Sequence, residues 1–397
     1  MAPDIPSRVA NEFAGIDERL WLASCSLAPR SHTVRRALAE FDVASADLGA
    51  WEKFETCATE LRQNLATFLG SEPDQIALLP SASVAAYQAV SSIRGVAAGH
   101  TLTSHAEFPS LAHVWLRQQQ LYGGTVRFAD DPSAPPGEVG PAYLAALETM
   151  PEADLVSVPL VAYDTGERLP VAQIVRRAAA AGARTLVDAY QYLGTGPLDV
   201  REVDCDFLVG GTSKYLLGLP GLAFLYVRDP AALPAAPALT GWWGRVEPLE
   251  FDHHRVDFPD TARRFEIATL PVPAVYAALS GLNLLSSVPA ADIESHRDSL
   301  TTLAWDALDA AGRTPVTPRD VRRRAAHLAI PSRDAQQEAK ELNAKGVVCS
   351  PRGDLLRFAF HLCNDADDVE QLSDLLTSGS TGGLSTGPLI DRREVVR

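Results

Sequence analysis

Cysteine is scarce and scattered in this 397-residue sequence, with five in all: Cys25, Cys57, Cys205, Cys349 and Cys363. No two form a Cys-x-x-Cys pair. Neither a zinc knuckle nor a disulfide framework is expected, and the usage fits the reducing cytoplasm. Basic residues are also few: Lys plus Arg is 35 against 50 Asp plus Glu, a net charge of −15. Phosphate-backbone binding is driven by Lys and Arg. The composition therefore argues against a nucleic-acid binder and against docking on an anionic membrane. No stretch approaches the roughly 18 consecutive apolar residues of a membrane-spanning helix. Met1–Asn11 lacks a basic stretch followed by an apolar one, so no secretory signal is expected. His253–His254 has no third ligand in view, so no metal is expected. There is no GxGxxG or GxxxxGK[ST] element, which argues against a nucleotide-binding protein of the common kinds.

What the sequence does have is apolar material, 46% of residues, and the length for a large core. Helical patterns run over about 31–41 and 51–69, the second closed by Gly70. Then apolar strands alternate with helices. Strands are expected at 76–79, 101–104, 125–128, 155–161, 185–188, 207–210 and 223–227. Helices are expected at 84–93, 111–122 and 171–181. This grammar predicts an α/β fold, a mostly parallel sheet covered by helices on both faces. After Pro271 the pattern changes to longer helices and a few short strands, a smaller α+β domain. The expected organisation is an arm over 1–30 that serves the small domain or a dimer contact, a large domain over 31–270 and a small domain over 271–378. A Ser-, Thr- and Gly-rich tail over 379–397 is expected to be disordered.

Two residues stand out chemically. Asp188 ends an apolar strand, at the edge where open α/β sheets bind ligands. Lys214 follows another apolar strand and two hydroxyl residues, Thr212 and Ser213. Burial there favours the neutral amine, which can form an imine. A Lys with an Asp suits pyridoxal 5'-phosphate: the lysine carries the aldehyde and the carboxylate keeps a proton on the pyridine nitrogen. Taken alone, Asp188 reads more readily as a structural turn residue, and the bland reading of Lys214 is a surface charge; the surrounding pattern reverses that.

Asp188–Ala–Tyr–Gln191 followed by Gly–Gly–Thr–Ser–Lys214 resembles the class V aminotransferase family of fold-type I pyridoxal-phosphate enzymes. That family includes cysteine desulfurases, C–S lyases, kynureninases and isopenicillin N epimerases. The resemblance runs from about Trp21 to Leu376. It implies a seven-stranded, mostly parallel sheet and a homodimer with active sites at the interface. It makes Pro80–Ser–Ala–Ser83 a phosphate-binding turn, with N–H groups of Ala82 and Ser83 and the Ser83 hydroxyl facing the phosphate; a plain helix cap is the alternative. Phe108 takes the place of the aromatic ring that stacks on the cofactor, where desulfurases carry His; a core Phe is the alternative. Gln191 would bond the phenolate oxygen, and Thr212 and Ser213 would offer hydroxyls to the phosphate. Gly241–Trp–Trp–Gly244 and Arg264–Phe–Glu–Ile–Ala–Thr269 resemble segments through which Trp243 and Thr269 reach the partner's cofactor, with Ala268 in place of the usual Gly. Arg357 would hold the substrate α-carboxylate, and Tyr163 stands where desulfurases carry Asn.

The resemblance implies an enzyme acting on a small amino acid. Cys349 lies eight residues before Arg357 without a long loop, which favours an inert thiol over a persulfide-forming one. A C–S β-lyase acting on S-conjugated cysteine is therefore the leading expectation. Amino transfer, decarboxylation-coupled deamination, desulfuration, kynureninase-like hydrolysis and epimerisation use the same residues. Leu111 stands where kynureninases carry Asp. A scaffold that has lost catalysis would not need Lys214, Asp188, Gln191 and Arg357 together.

Overall fold

The computed structural model describes Val9 and residues 11–13, 19–93, 99–150 and 152–378. The expected disordered tail over 379–397 lies outside the described residues, as does most of the arm's first part.

In chain order the strands are β1 (Leu20–Trp21), β2 (Ile76–Leu79), β3 (His100–Thr103), β4 (Thr125–Phe128), β5 (Leu155–Pro159), β6 (Arg184–Asp188), β7 (Phe207–Gly211) and β8 (Ala223–Val227). They are followed by β9 (His327–Pro331), β10 (Val347–Val348), β11 (Ser350–Arg352) and β12 (Leu355–Ala359). The helices are α1 (His32–Ser45), α2 (Ala50–Leu69), α3 (Ala82–Ser91), α4 (Pro109–Tyr122), α5 (Val139–Thr149), α6 (Val171–Ala180) and α7 (Val200–Val203). The last four are α8 (Val272–Ser286), α9 (Ala290–Ala310), α10 (Ala335–Ala344) and α11 (Ala366–Ser378).

Seven strands form the main sheet in the order β2-β8-β7-β6-β5-β3-β4. Only β8 runs against its neighbours, β2 and β7. Strands β2, β5, β7 and β8 are buried throughout, on both faces, whereas the edge strand β4 alternates exposed and half-buried residues. Phe207 and Val209 of β7 pack on one face with Ala85, Ala86 and Ala89 of α3, while Leu208 faces the other. The same alternation runs through β8: Phe224 and Tyr226 to one side, Leu225 and Val227 to the other. Leu79 and Gly211 both pair with Ala223, so β2 and β7 end at one edge of the sheet. Pro159 pairs with Asp188, which brings β5 and β6 to the same edge.

The second unit is an antiparallel sheet, β11-β12-β9. Leu356 and Phe358 of β12 pack with Leu300, Ala304 and Leu308 of α9 and Leu372 of α11. Arg357, between them, faces away from that core. Leu20 and Trp21 pair in parallel with Val347 and Val348, so the end of the arm is stitched to this unit. The packing boundary does not fall at residue 270. Helix α8 packs on α1 and α2, and Val275, Ala278 and Leu282 join the core on one face of the main sheet. The packing changes over within α9: Ile293 near its start still joins the main core, while Leu300, Ala304 and Leu308 pack on the small sheet.

The short β1 and α7 escape a reading by pattern, and so do two elements that contain proline. In α5, Gly140–Pro141 looks like a breaker, yet a proline in a first turn loses no needed N–H. Strand β11 contains Pro351, which an edge strand tolerates.

Candidate active site

The strand ends converge on a cavity of about 360 Å³. Ala82, Ser83, Phe108, Tyr163, Asp188, Gln191, Ser213, Lys214 and Arg357 all line it. Each is delivered by a segment just past a strand end, except Arg357, which the small sheet supplies. Ser81 caps α3, its hydroxyl accepting from Val84 N at 3.3 Å. The cap is thus Ser81 rather than Ser83, and the first-turn N–H groups of Ala82 and Ser83 remain available to an anion at this helix N-terminus.

Lys214 points its amine between two rings. Its Nζ lies 4.5 Å from the Tyr190 centroid and 5.5 Å from that of Phe108. Burial pulls its pKa down to about 8, against the opposing pull of Asp188. Phe108 meets Tyr163 edge-on, centroids 5.3 Å apart. Gly211 ends β7 beneath this group, and a Cβ there would run into the Tyr190 ring. Tyr190 also shares a 3.1 Å hydrogen bond with Ser213 Oγ.

Asp188 is 7% exposed, and its Oδ1 accepts from Tyr190 N at 2.7 Å. Behind it, in hydrogen-bonding contact, sits the buried carboxyl of Glu107. Glu107 accepts from Phe108 N at 3.0 Å and from Ser157 Oγ at 3.0 Å. Burial first, and the Asp188 charge second, push the Glu107 carboxyl well above its ordinary range. Glu107 is therefore the member that holds a proton and donates it to Asp188. Burial raises Asp188 as well, while the Tyr190 N–H, the Lys214 charge and the bond from Glu107 pull it back.

Gln191 donates through Nε2 to Cys25 O at 3.0 Å, and its Oε1 is buried without a partner among the described residues. Arg357 is 1% exposed. It donates to Ser350 O, to Ser350 Oγ at 2.7 Å and to Tyr163 O, so the small sheet and the end of β5 are tied through it.

Three expected residues lie elsewhere in the chain. Thr212 is buried and spends its hydroxyl on Leu219 O at 3.0 Å and Leu222 O at 3.2 Å, which holds the loop after Lys214 instead of facing the cavity. Trp243 is buried outside the cavity with its indole N–H unpartnered among the described residues, and Thr269 is exposed. Within the same segment Glu266 ties the chain together, taking two bonds from Arg62, at 3.1 and 2.9 Å, and one from Leu78 N. Cys349 stands outside the cavity wall, and burial pushes its thiol up to about 12. Among the described residues no group of three or more His, Cys, Asp or Glu side chains is placed to hold a metal.

Pattern reading missed Tyr190, Glu107 and Arg352, and the cavity wall formed by Cys25, Ser26 and Leu27. Tyr190 was legible in principle, sitting inside the Asp-x-x-Gln stretch. Nothing local marks the others.

The donor set fits pyridoxal 5'-phosphate. It offers a lysine whose amine is readily neutral, a buried carboxylate for the ring nitrogen and free N–H groups at a helix start for the phosphate. It adds a flat apolar ring and a glutamine with an unsatisfied buried amide oxygen. The family described as Aminotransferase class-V matches residues 42–372. An uncharacterized aminotransferase, YcbU of Bacillus subtilis, is 31% identical over 382 residues, covering 93% of this chain and 97% of that protein. The apo cysteine desulfurase of Thermococcus onnurineus NA1 superposes with a TM-score of 0.84 at 18% identity, over 96% of this chain and 100% of that one. The cystine C–S lyase C-DES, in complex with its reaction product cysteine persulfide, gives 0.82 at 18%, over 92% and 99%. At that identity the two structures establish a shared fold. The sheet order, the cavity at its edge and the extent of the family match lead to one assignment: the chain belongs to the class V aminotransferase family of pyridoxal 5'-phosphate-dependent enzymes.

Proposed function

We propose that this enzyme acts at the Cα of a small amino acid and that its reaction is C–S β-elimination from an S-conjugated cysteine. The observation that carries the reading is the cavity holding Lys214, Asp188 and Arg357, with the Cys349 thiol outside its wall and pushed up to about 12 by burial, and with Cys25, which lines it, only 1% exposed. Pyridoxal 5'-phosphate, when bound, supplies an electron sink for the pair left at Cα. Lys214 would hold it covalently, Asp188 at the ring nitrogen, Phe108 against the ring, and Ala82 and Ser83 at the phosphate. Arg357 binds and orients the substrate carboxylate through a planar fork. Once the substrate amine has displaced it from the cofactor, Lys214 Nζ is a free neutral amine that can take the proton from Cα. The pair from the Cα–H bond becomes a Cα=Cβ bond, and the sulfur leaves with the Cβ–S pair. Hydrolysis then yields pyruvate and ammonia. Phe108 cannot carry a proton, so acid–base work falls to Lys214.

A homodimer is part of this proposal. Trp51, Phe251, Leu48 and Val43 are 57%, 62%, 105% and 74% exposed, and Trp51, Trp242 and Phe251 form one aromatic run. Such a patch suits a partner. It lies beside Trp243, whose indole N–H has no acceptor among the described residues. Amino transfer is the second reading, favoured by the likeness to YcbU.

The test begins with cofactor absorbance of the wild type beside Lys214→Ala. Wild type should bind and turn over S-substituted cysteines to pyruvate. Lys214→Ala should lose about 10³-fold or more in kcat, the upper range for an acid–base group. Full activity in that variant would end the proposal. Keto-acid-dependent amine exchange without pyruvate would replace elimination by amino transfer.

A further inference from the structure

The cavity contains a second arginine. Ser350 pairs with Arg357 across β11 and β12, so their side chains share a face, and Arg352, two residues beyond Ser350, shares it too. Arg352 and Arg357 both line the cavity. Their partners among the described residues are all neutral oxygens. Arg352 donates to Pro351 O at 2.7 Å and to Ser26 Oγ at 3.5 Å. Arg357 donates to Tyr163 O and to the carbonyl and hydroxyl of Ser350. A guanidinium has five N–H groups. Arg357 keeps one free on each terminal nitrogen, the fork that fits a carboxylate. Arg352 keeps Nε and one on each terminal nitrogen.

Two guanidiniums set side by side cannot relieve their repulsion by losing a proton. Burial, and then the charge of Arg357, weigh against the charged form of Arg352. The cavity's own carboxylate does not compensate them, because Asp188 is taken by Tyr190 N and faces Lys214. The missing negative charge has to arrive with the ligand. One α-carboxylate satisfies one fork.

Building on the amino-acid reading above, we propose that the substrate carries a second carboxylate on its side chain, beyond Cα, and that Arg352 is the residue that selects it. An S-conjugated cysteine whose sulfur substituent ends in an acid has this form. The enzyme would discriminate against the same conjugate ending in an amide or an alkyl group.

The test uses ligands without an amine, so no covalent step enters. The cofactor-saturated protein is titrated calorimetrically with dicarboxylates from succinate to adipate, and with monocarboxylates of equal chain length. At least one dicarboxylate should bind about tenfold more tightly than its monocarboxylate, the gain from one further charge-assisted pair. Arg352→Gln should reduce that ratio to within about twofold while the monocarboxylate Kd holds. Arg352→Lys should keep part of the preference, and Arg357→Gln should weaken both classes. Equal Kd values for the two classes in the wild type would overturn the proposal. So would an Arg352→Gln variant that weakens both classes alike, which would assign Arg352 to the α-carboxylate. A variant that loses affinity for the cofactor but keeps the preference would assign it to the phosphate. Failure of the protein to bind the cofactor at all would instead overturn the proposed function, and it is read separately from absorbance.

Discussion

Two pairs of like groups meet at the cavity, one of carboxyls with Asp188 in the wall and Glu107 behind it and one of guanidiniums, and the pairs are resolved differently. In the first the carboxyls of Asp188 and Glu107 lie buried in contact. A carboxyl can take a proton, so this pair settles its repulsion internally: Glu107 keeps the proton and Asp188 keeps the charge. In the second Arg352 and Arg357 have no such outlet, since a guanidinium stays charged. The carboxyl pair is complete without ligand, and the guanidinium pair is not. The carboxyl pair therefore pre-organises the site, while the arginine pair is a specification for what enters it.

The strongest way to break this comparison is to remove the charge that the carboxyl pair protects. Asp188→Asn should keep the shape of the site and its bond from Tyr190 N, yet lose the anion. It should lower kcat about 10²- to 10³-fold, the range for a lost electrostatic stabiliser, with a smaller change in KM. Steady-state kinetics checks this; kcat within threefold of the wild type would mean that Asp188 holds shape alone. In the guanidinium pair, Arg357→Leu should raise KM about 10- to 100-fold, as expected for a charge-assisted bond worth about 1.5–3 kcal/mol. If kcat fell instead, Arg357 would be acting on the reaction and not on binding.

The difference between the pairs also separates what the sequence makes legible from what it does not. Asp188 and Lys214 can be read because each follows an apolar strand, and a parallel sheet delivers strand ends to one edge. Most of the fold can be read for the same reason, since continuous apolar runs have only one place to go. Arg357 sits on a strand of the small sheet, where charge usually means solvent. Its role came only from resemblance, and the alternation with Leu356 and Phe358 explains it afterwards. Arg352 and Glu107 had no local signal. One depends on the register of a hairpin containing Pro351, the other on a contact 81 positions away along the chain. Thr212 went the other way: a hydroxyl next to Lys214 looked like a phosphate ligand, but the loop carbonyls of Leu219 and Leu222 claim it.

Glu107 sharpens the carboxyl side. Glu107→Gln keeps a donor toward Asp188 and should leave kcat within about threefold. Glu107→Leu removes the donor and strands Ser157 Oγ and Phe108 N, which should cost about 1–3 kcal/mol of stability in denaturant titration. Infrared spectra of the cofactor-free protein should contain a protonated carboxylic-acid C=O band at neutral pH that Glu107→Gln deletes. A band that survives in Glu107→Gln but disappears in Asp188→Asn would place the proton on Asp188.

The smallest expected effect concerns Lys214. In the cofactor-free protein Lys214 titrates near pH 8, because burial disfavours its ammonium form more than Asp188 favours it. An unfolded lysine titrates near 10.4. Between those values the unfolded chain binds more protons than the folded one, so this residue makes stability rise with pH across that window. Below pH 8 both states are protonated at this site and the slope vanishes. The effect comes from one group among 85 charged side chains, so it is best read as a difference. Denaturant midpoints of the wild type should climb more steeply between pH 8 and 10 than those of Lys214→Met. Parallel slopes would mean that Asp188 holds the ammonium as firmly as burial opposes it, leaving the lysine at its unfolded value.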